Sequence, residues 1–120
     1  MGYYANFDFT LNEPVVDTRK AKNLEKYFAD DQKETYGFLD VKLKLIDVGG
    51  NRSVLDDIIV IDHYNKFYDD KLFAEKLSKV LISGSVDLHF IGEDRKTWGW
   101  RVSPNEVRML TITWVLSESE

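Results

Sequence analysis

Apolar and polar residues alternate from Tyr3 to Leu11: Tyr3, Ala5, Phe7, Phe9 and Leu11 fall on one face, Tyr4, Asn6, Asp8 and Thr10 on the other. A period of two with aromatic weighting predicts a half-buried strand. Pro14 has no ladder donor, so Glu13-Pro14 is expected to end it, and Asp17 or Thr18 then offers a side-chain oxygen to the free amides of a helix start. Ala21, Leu24, Tyr27 and Phe28 give that helix its buried stripe. After a polar stretch from Asp30 to Gly37, strict alternation resumes, with Leu39, Val41, Leu43 and Leu45 set against Asp40, Lys42 and Lys44. Gly49-Gly50-Asn51 tolerates the positive φ of tight turns and breaks this strand, with a loop or short strand expected through Asp57. The continuous apolar run Ile58 to Ile61 reads as a central strand covered on both faces. Asp69 or Asp70 is a good N-cap for a second helix, in which Leu72, Phe73, Leu77, Val80 and Leu81 recur at helical spacing until Ser83-Gly84-Ser85 stops it.

Val86, Leu88 and Phe90 start another alternating strand, and Gly92-Glu93-Asp94-Arg95 reads as a hairpin turn before Trp98, Trp100 and Val102. A two-residue loop would pair Ile91 with Trp98 and His89 with Trp100, mixing polar and apolar partners. A three-residue loop, Glu93 to Arg95, pairs Phe90 with Trp98, Leu88 with Trp100 and Val86 with Val102, which gives one continuous apolar face. The second register is preferred, because a slip of one residue moves every side chain to the opposite face. It leaves Asp87, His89, Ile91, Thr97, Gly99 and Arg101 on the other face, with Asp87 opposite Arg101. Ser103-Pro104-Asn105 makes the next turn, and Leu110, Ile112, Trp114 and Leu116 mark a final strand ahead of a frayed tail from Ser117.

The resulting order, β-α-β-β-α-β-β-β, predicts an α+β domain spanning residues 1–120, with a mostly antiparallel sheet of about six strands. Its two helices can cover only one face, an arrangement consistent with a ferredoxin-like core.

Composition narrows the function classes. The 120 residues include 16 Lys and Arg, 21 Asp and Glu, 16 aromatics and no Cys, for a net charge of −5 and a pI near 5.0. Disulfide and thiolate-metal scaffolds are thereby excluded, and the aromatic content is enough to build a core. No apolar run approaches the roughly 20 residues of a membrane span, and the first residues lack the pattern of a signal peptide, so a cytoplasmic protein without a membrane partner is expected. Direct nucleic-acid binding is not expected from an acidic chain whose one short basic cluster is Arg19-Lys20-x-Lys22.

Candidate chemistry is sparse. His63 follows Asp62 directly, so in a strand the two point to opposite faces and form no dyad, whereas His89 shares its face with Asp87 and Arg101 but has no Ser or Cys nucleophile beside it in sequence. Two ordinary strand histidines are the simpler reading. The doublets Asp30-Asp31, Asp56-Asp57 and Asp69-Asp70 lack the spacing of a calcium loop and read as caps and solvated loops. Nucleotide, phosphate and hydrolase motifs are missing, so no cofactor, metal or catalytic residue is assigned. What remains is surface: Tyr4, His89, Ile91, Glu93, Asp94, Arg95 and Arg101 lie on the uncovered, aromatic-bearing sheet face or at its hairpin tip, where a partner could dock.

The opening Met1-Gly2-Tyr3-Tyr4 with Phe7 and Phe9, and the later Gly92-Glu93-Asp94 followed by Trp98, resemble a loose group of small phage and mobile-element proteins. Those proteins open MGYY and carry a G-E-[DE] turn and a Trp strand near the end. This chain departs from them in continuing through Pro104 to Trp114 with a further strand. The resemblance carries no activity over, but it implies a non-catalytic interaction protein that inhibits a host defence protein, in the anti-CRISPR manner, by steric binding to a nucleic-acid-processing complex. The alternatives are a nucleotide- or oligonucleotide-binding module or small enzyme using His89, Asp87 and Arg101, and a homodimer that buries its own open face.

Overall fold

The computed structural model describes residues 5–29, 39–62, 70–92 and 95–110. In chain order the elements are β1 (Ala5–Asp17), α1 (Thr18–Ala29), β2 (Leu39–Gly49), β3 (Arg52–Asp62), α2 (Asp70–Val80), β4 (Leu81–Gly92), β5 (Thr97–Ser103) and β6 (Glu106–Leu110). The expected order of elements is therefore the observed one. All pairings are antiparallel, in a six-stranded sheet ordered β2-β3-β1-β4-β5-β6. The segment β2-β3-β1-β4, with one helix after β1 and one after β3, has the split β-α-β arrangement of a ferredoxin-like core, and the β5–β6 hairpin extends it beyond β4.

One apolar cluster joins the helices to the inner sheet face. Leu24 and Phe28 of α1 and Phe73 and Leu77 of α2 are buried against Val41, Leu55, Val86 and Leu88. Register carries this core across the strands in rows: Phe7 pairs with Phe90 and Phe90 with Trp98, while Phe9 pairs with Leu88 and Leu88 with Trp100. The first row is an aromatic ladder, with ring centroids 5.3 Å apart for Phe7–Phe90 and 5.4 Å for the nearly parallel Phe90–Trp98 pair. The three-residue hairpin register read from the apolar pattern is the one observed.

The strands run further than their sequence patterns. β1 does not stop at Pro14, because a bulge absorbs it: Asn12 pairs with Ser85 and Val15 with Ser83, so Glu13-Pro14 together oppose Gly84. Glu13 and Gly84 both take positive φ there (51° and 75°), and a side chain at 84 would run into the Glu13 and Asn12 carbonyls. Gly84 thus sits inside β4, which starts at Leu81 directly after α2, and the expected stop at Ser83-Gly84-Ser85 is a bulge instead. The loop or short strand expected from Gly49 through Asp57 is largely β3, which pairs with β2 from Arg52 onward. A bulge places Asp56 and Asp57 together opposite Lys44, restoring the inward alternation so that Leu55 and Ile58 both face the core. β3 is not covered on both faces: Ile59 is 49% exposed. β6, Glu106–Leu110, begins ahead of the expected final strand, of whose marking residues only Leu110 falls among the described residues; Ile112, Trp114 and Leu116 lie outside them.

Two polar junctions set the helices. At α1, Asp17 is the N-cap, its Oδ1 accepting the Lys20 N–H at 2.9 Å and the Asn51 Nδ2–H at 3.0 Å. These donors hold its carboxyl below the ordinary carboxylate range. Asn51, in the β2–β3 turn with φ 59°, accepts the Thr18 N–H on its carbonyl and the Arg19 N–H on Oδ1. The first three amides of the helix are thus satisfied, two of them by a turn more than thirty residues away. At α2, both indoles of β5 converge on one carboxylate oxygen: Trp98 Nε1–H and Trp100 Nε1–H donate to Asp70 Oδ2 at 2.8 and 2.7 Å. Residues two apart on a strand share a face, so W-x-W aims both indoles at the helix start. Asn105 N–H also donates to the Ser78 carbonyl, fastening the β5–β6 turn to α2.

Asn51→Ala removes a side-chain cap and strains a left-handed backbone, so we expect it to cost about 2 kcal/mol in urea unfolding. Asn51→Gly keeps the turn and the carbonyl cap and is expected to cost about 1 kcal/mol or less. Asp70→Ala, which strips the shared acceptor from both indoles, is expected to cost about 1–2 kcal/mol and to alter tryptophan emission, whereas Asp70→Asn, which retains a carbonyl acceptor, is expected to cost less.

Candidate functional site

Among the described residues nothing covers the face of the sheet away from the helices, called the open face below. Register assembles it in rows across β1, β4, β5 and β6: Asp8, His89, Gly99 and Leu110 form one, and Thr10, Asp87, Arg101 and Arg108 the next. In the second row the expected ion pair is present and bidentate, with Arg101 Nε and Nη2 donating to Asp87 Oδ1 and Oδ2 at 2.8 and 2.9 Å. Asp87 is buried at the base of the pair, and Arg101 lies over it, exposed. The Arg101 guanidinium holds the Asp87 carboxyl below the ordinary carboxylate range, outweighing the opposing effect of burial, and Arg101 is itself held more firmly protonated. Beyond it Arg108 Nε donates to Glu106 Oε2 at 3.0 Å, and Asn12 Nδ2–H donates to Ser85 Oγ at 3.2 Å.

Of the residues read as a docking surface, His89, Ile91 and Arg101 share this face, and Arg95 is exposed at the hairpin with φ 65°. Ile91 is 42% exposed. Tyr4, Glu93 and Asp94 lie outside the described residues, as does His63. The face differs from expectation in one respect. Phe7, Phe9, Phe90, Trp98 and Trp100 all belong to the helix-side packing, so among the described residues the open side carries no Phe, Tyr or Trp. Its apolar part is aliphatic: Ile46 pairs with Val54 and Val54 with Val15, a row across β2, β3 and β1 that faces away from the buried Ser53 and Val16. Alternation alone would have put Ile46 outside, but joining it to Val15 requires the strand order.

The polar groups singled out for chemistry are engaged elsewhere. Arg101 presents two of its donors to Asp87, so the constellation His89, Asp87 and Arg101 is chiefly an ion pair beside an imidazole. Asp56 lies 3.5 Å from Lys44, Asp57 accepts the Ile58 N–H, and Asp70 holds the indoles. Among the described residues no group of three or more acidic or histidine side chains is placed to hold a metal ion, and no described helix is long and apolar enough to cross a membrane. Comparison with known proteins finds no counterpart: no family model, curated protein or solved structure matches the chain.

A carboxyl held below its ordinary value in the folded state loses protons there more readily than in the unfolded chain, so Asp87 adds stability above about pH 4 and loses that contribution as pH falls through its folded value. The stability difference between the wild type and Asp87→Asn, measured by thermal unfolding, is therefore expected to be constant from pH 7 to 5 and to shrink between pH 4 and 2.

Proposed function

We propose that the chain is a small non-catalytic interaction protein of phage or mobile-element type that inhibits a host defence protein, in the anti-CRISPR manner, by docking its open sheet face. The reading rests on one observation. The open side combines an aliphatic row, exposed Ile46 with half-buried Val54 and Val15, with a fixed, charge-bearing array centred on Asp87 and Arg101. An apolar patch bordered by oriented polar groups is the anatomy of a protein interface, and pairing within the array lowers the cost of ordering it on binding. The mechanism is steric: the bound domain covers the working surface of its partner, and the charged border sets orientation. The resemblance of the opening MGYY and the Gly92-Glu93-Asp94 turn to phage proteins supports this kind of partner.

The test is protection of phage in bacteria with active CRISPR immunity, together with affinity capture of the effector by tagged protein. Ile46→Asp and Ile91→Asp, both at exposed positions, are each expected to abolish protection and to weaken binding to the captured effector at least tenfold, about 1.4 kcal/mol. Protection and capture that survive both changes would count against the open face as the docking site. No protection and no effector bound would count against the inhibitor reading itself.

A further inference from the structure

Charge is divided unevenly over the fold. The two helices hold seven basic and three acidic side chains, a net +4 in a chain of −5, so the remaining residues hold −9. Part of that positive charge converges where α1 and α2 meet, in a groove of about 300 Å³. Leu24, Tyr27 and Val80 form its apolar part, and Lys20, Lys76, Lys79 and Asn23 supply its polar lining, with no carboxylate lining it among the described residues. Lys76 is held in place, its Nζ 4.3 Å from the centroid of the Tyr27 ring. Lys76 and Lys79 are a like-charge pair at i, i+3, offset in part by Glu75 four residues before Lys79, so the cluster keeps a positive excess. A second groove beside α1, of about 340 Å³, includes the carboxylate of Glu25, which already accepts the Leu43 N–H and would repel an anion.

We infer that the groove between α1 and α2 binds the polyphosphate group of a small ligand, with the ammonium groups of Lys20, Lys76 and Lys79 neutralising its charge. Three point charges suit a flexible chain of phosphates, whereas a single carboxylate or phosphate is better matched by an arginine fork. The volume is at the lower end of small-molecule sites and suits a di- or triphosphate, with Leu24 and Val80 offering apolar contact to an attached nucleoside. The Tyr27 ring is already flanked by Lys76 and by Phe28, edge-on at 5.1 Å, so it is not a platform for successive unstacked bases as in single-strand binders. The groove lies on the helix side and the docking face on the opposite one, so either assignment can fail alone.

The experiment is calorimetric titration of the full chain with inorganic tripolyphosphate, ATP and a single-stranded oligonucleotide of about ten nucleotides, the span of one single-strand site, at low and moderate salt. Saturable, salt-sensitive binding of both tripolyphosphate and ATP is expected, weakened at least tenfold in Lys20→Gln/Lys79→Gln. In Lys42→Gln/Lys44→Gln it is expected to be unchanged. Both pairs change exposed side chains, and an unaltered melting temperature is the check on folding. Absence of saturable binding, equal binding by Lys20→Gln/Lys79→Gln, or tighter binding of the oligonucleotide than of ATP would each overturn the assignment.

Discussion

The β2–β3 turn holds the start of α1, and much of the arrangement depends on that grip. β3 pairs with β1 over only three registered positions, Val15–Asp17 against Val54–Arg52, before the ladder ends at Pro14. Three cross-strand pairs alone are a weak hinge for a hairpin as long as β2–β3. Asn51 strengthens it by accepting two helix amides at the point where β1 passes into α1, and the partly buried hydrogen bond between Thr18 Oγ1 and Ser53 Oγ, 2.6 Å, lies beside it. Further along, Glu25 of α1 accepts the Leu43 N–H at the outer edge of β2, tying the helix to the hairpin again. Helix, turn and edge strand therefore move as one piece, which places Lys20 and Asn23 against α2.

The other half of the domain is organised by the pairing of β1 with β4, which runs from Ala5–Gly92 to Val16–Leu81 with two irregularities. The first occurs where Pro14 and Gly84 meet and the second at Ile82, between the Val15–Ser83 and Val16–Leu81 pairs, and they let one strand serve two neighbours. Before the bulge β1 pairs with β4 and fills the core with Phe7 and Phe9; beyond it β1 also carries β3. A bulge bends and twists its strand, so the sheet can wrap around both helices. Asp70 performs the matching service on the far side, where its grip on Trp98 and Trp100 docks β5 against α2.

Much of this was legible from parity. Alternation of apolar residues specified the strands, and the requirement that Trp98, Trp100 and Val102 share a face with Phe90, Leu88 and Val86 selected the hairpin register and with it the Asp87–Arg101 pair. What parity could not see were the places where it changes phase. Pro14 and Gly84 look like terminators when read alone, because a strand-breaking residue and a bulge residue have the same chemistry and differ only in what lies across the ladder. Asp56 and Asp57 likewise resemble a solvated loop, although Asp57 pairs with Lys44 and Asp56 is the extra residue that keeps Leu55 and Ile58 on one side. The indole clasp was half visible: W-x-W spacing fixed a common face, while the acceptor, Asp70, comes from an element almost thirty residues earlier.

The charge distribution makes a related point about what a sum conceals. A pI near 5.0 argues against anionic ligands only if charge is spread evenly, and here it is not: α1 and α2 are basic while the strands and connections hold the acid. Screening limits an exposed charge to neighbours within roughly 8 Å at physiological salt, so around the groove Lys20, Lys76 and Lys79 are weighed against Asp17 and Glu75 rather than against the carboxylates of β3 or β6. The same locality governs the open face, where pairing of Asp87 with Arg101 and of Glu106 with Arg108 leaves little net field but fixed dipoles of defined direction. A partner docked on that side, as proposed, would be selected by shape and by the orientation of polar groups, whereas the ligand proposed for the helix side would be selected by charge. The sheet separates the two surfaces, so the two proposals make different physical demands on one small acidic domain.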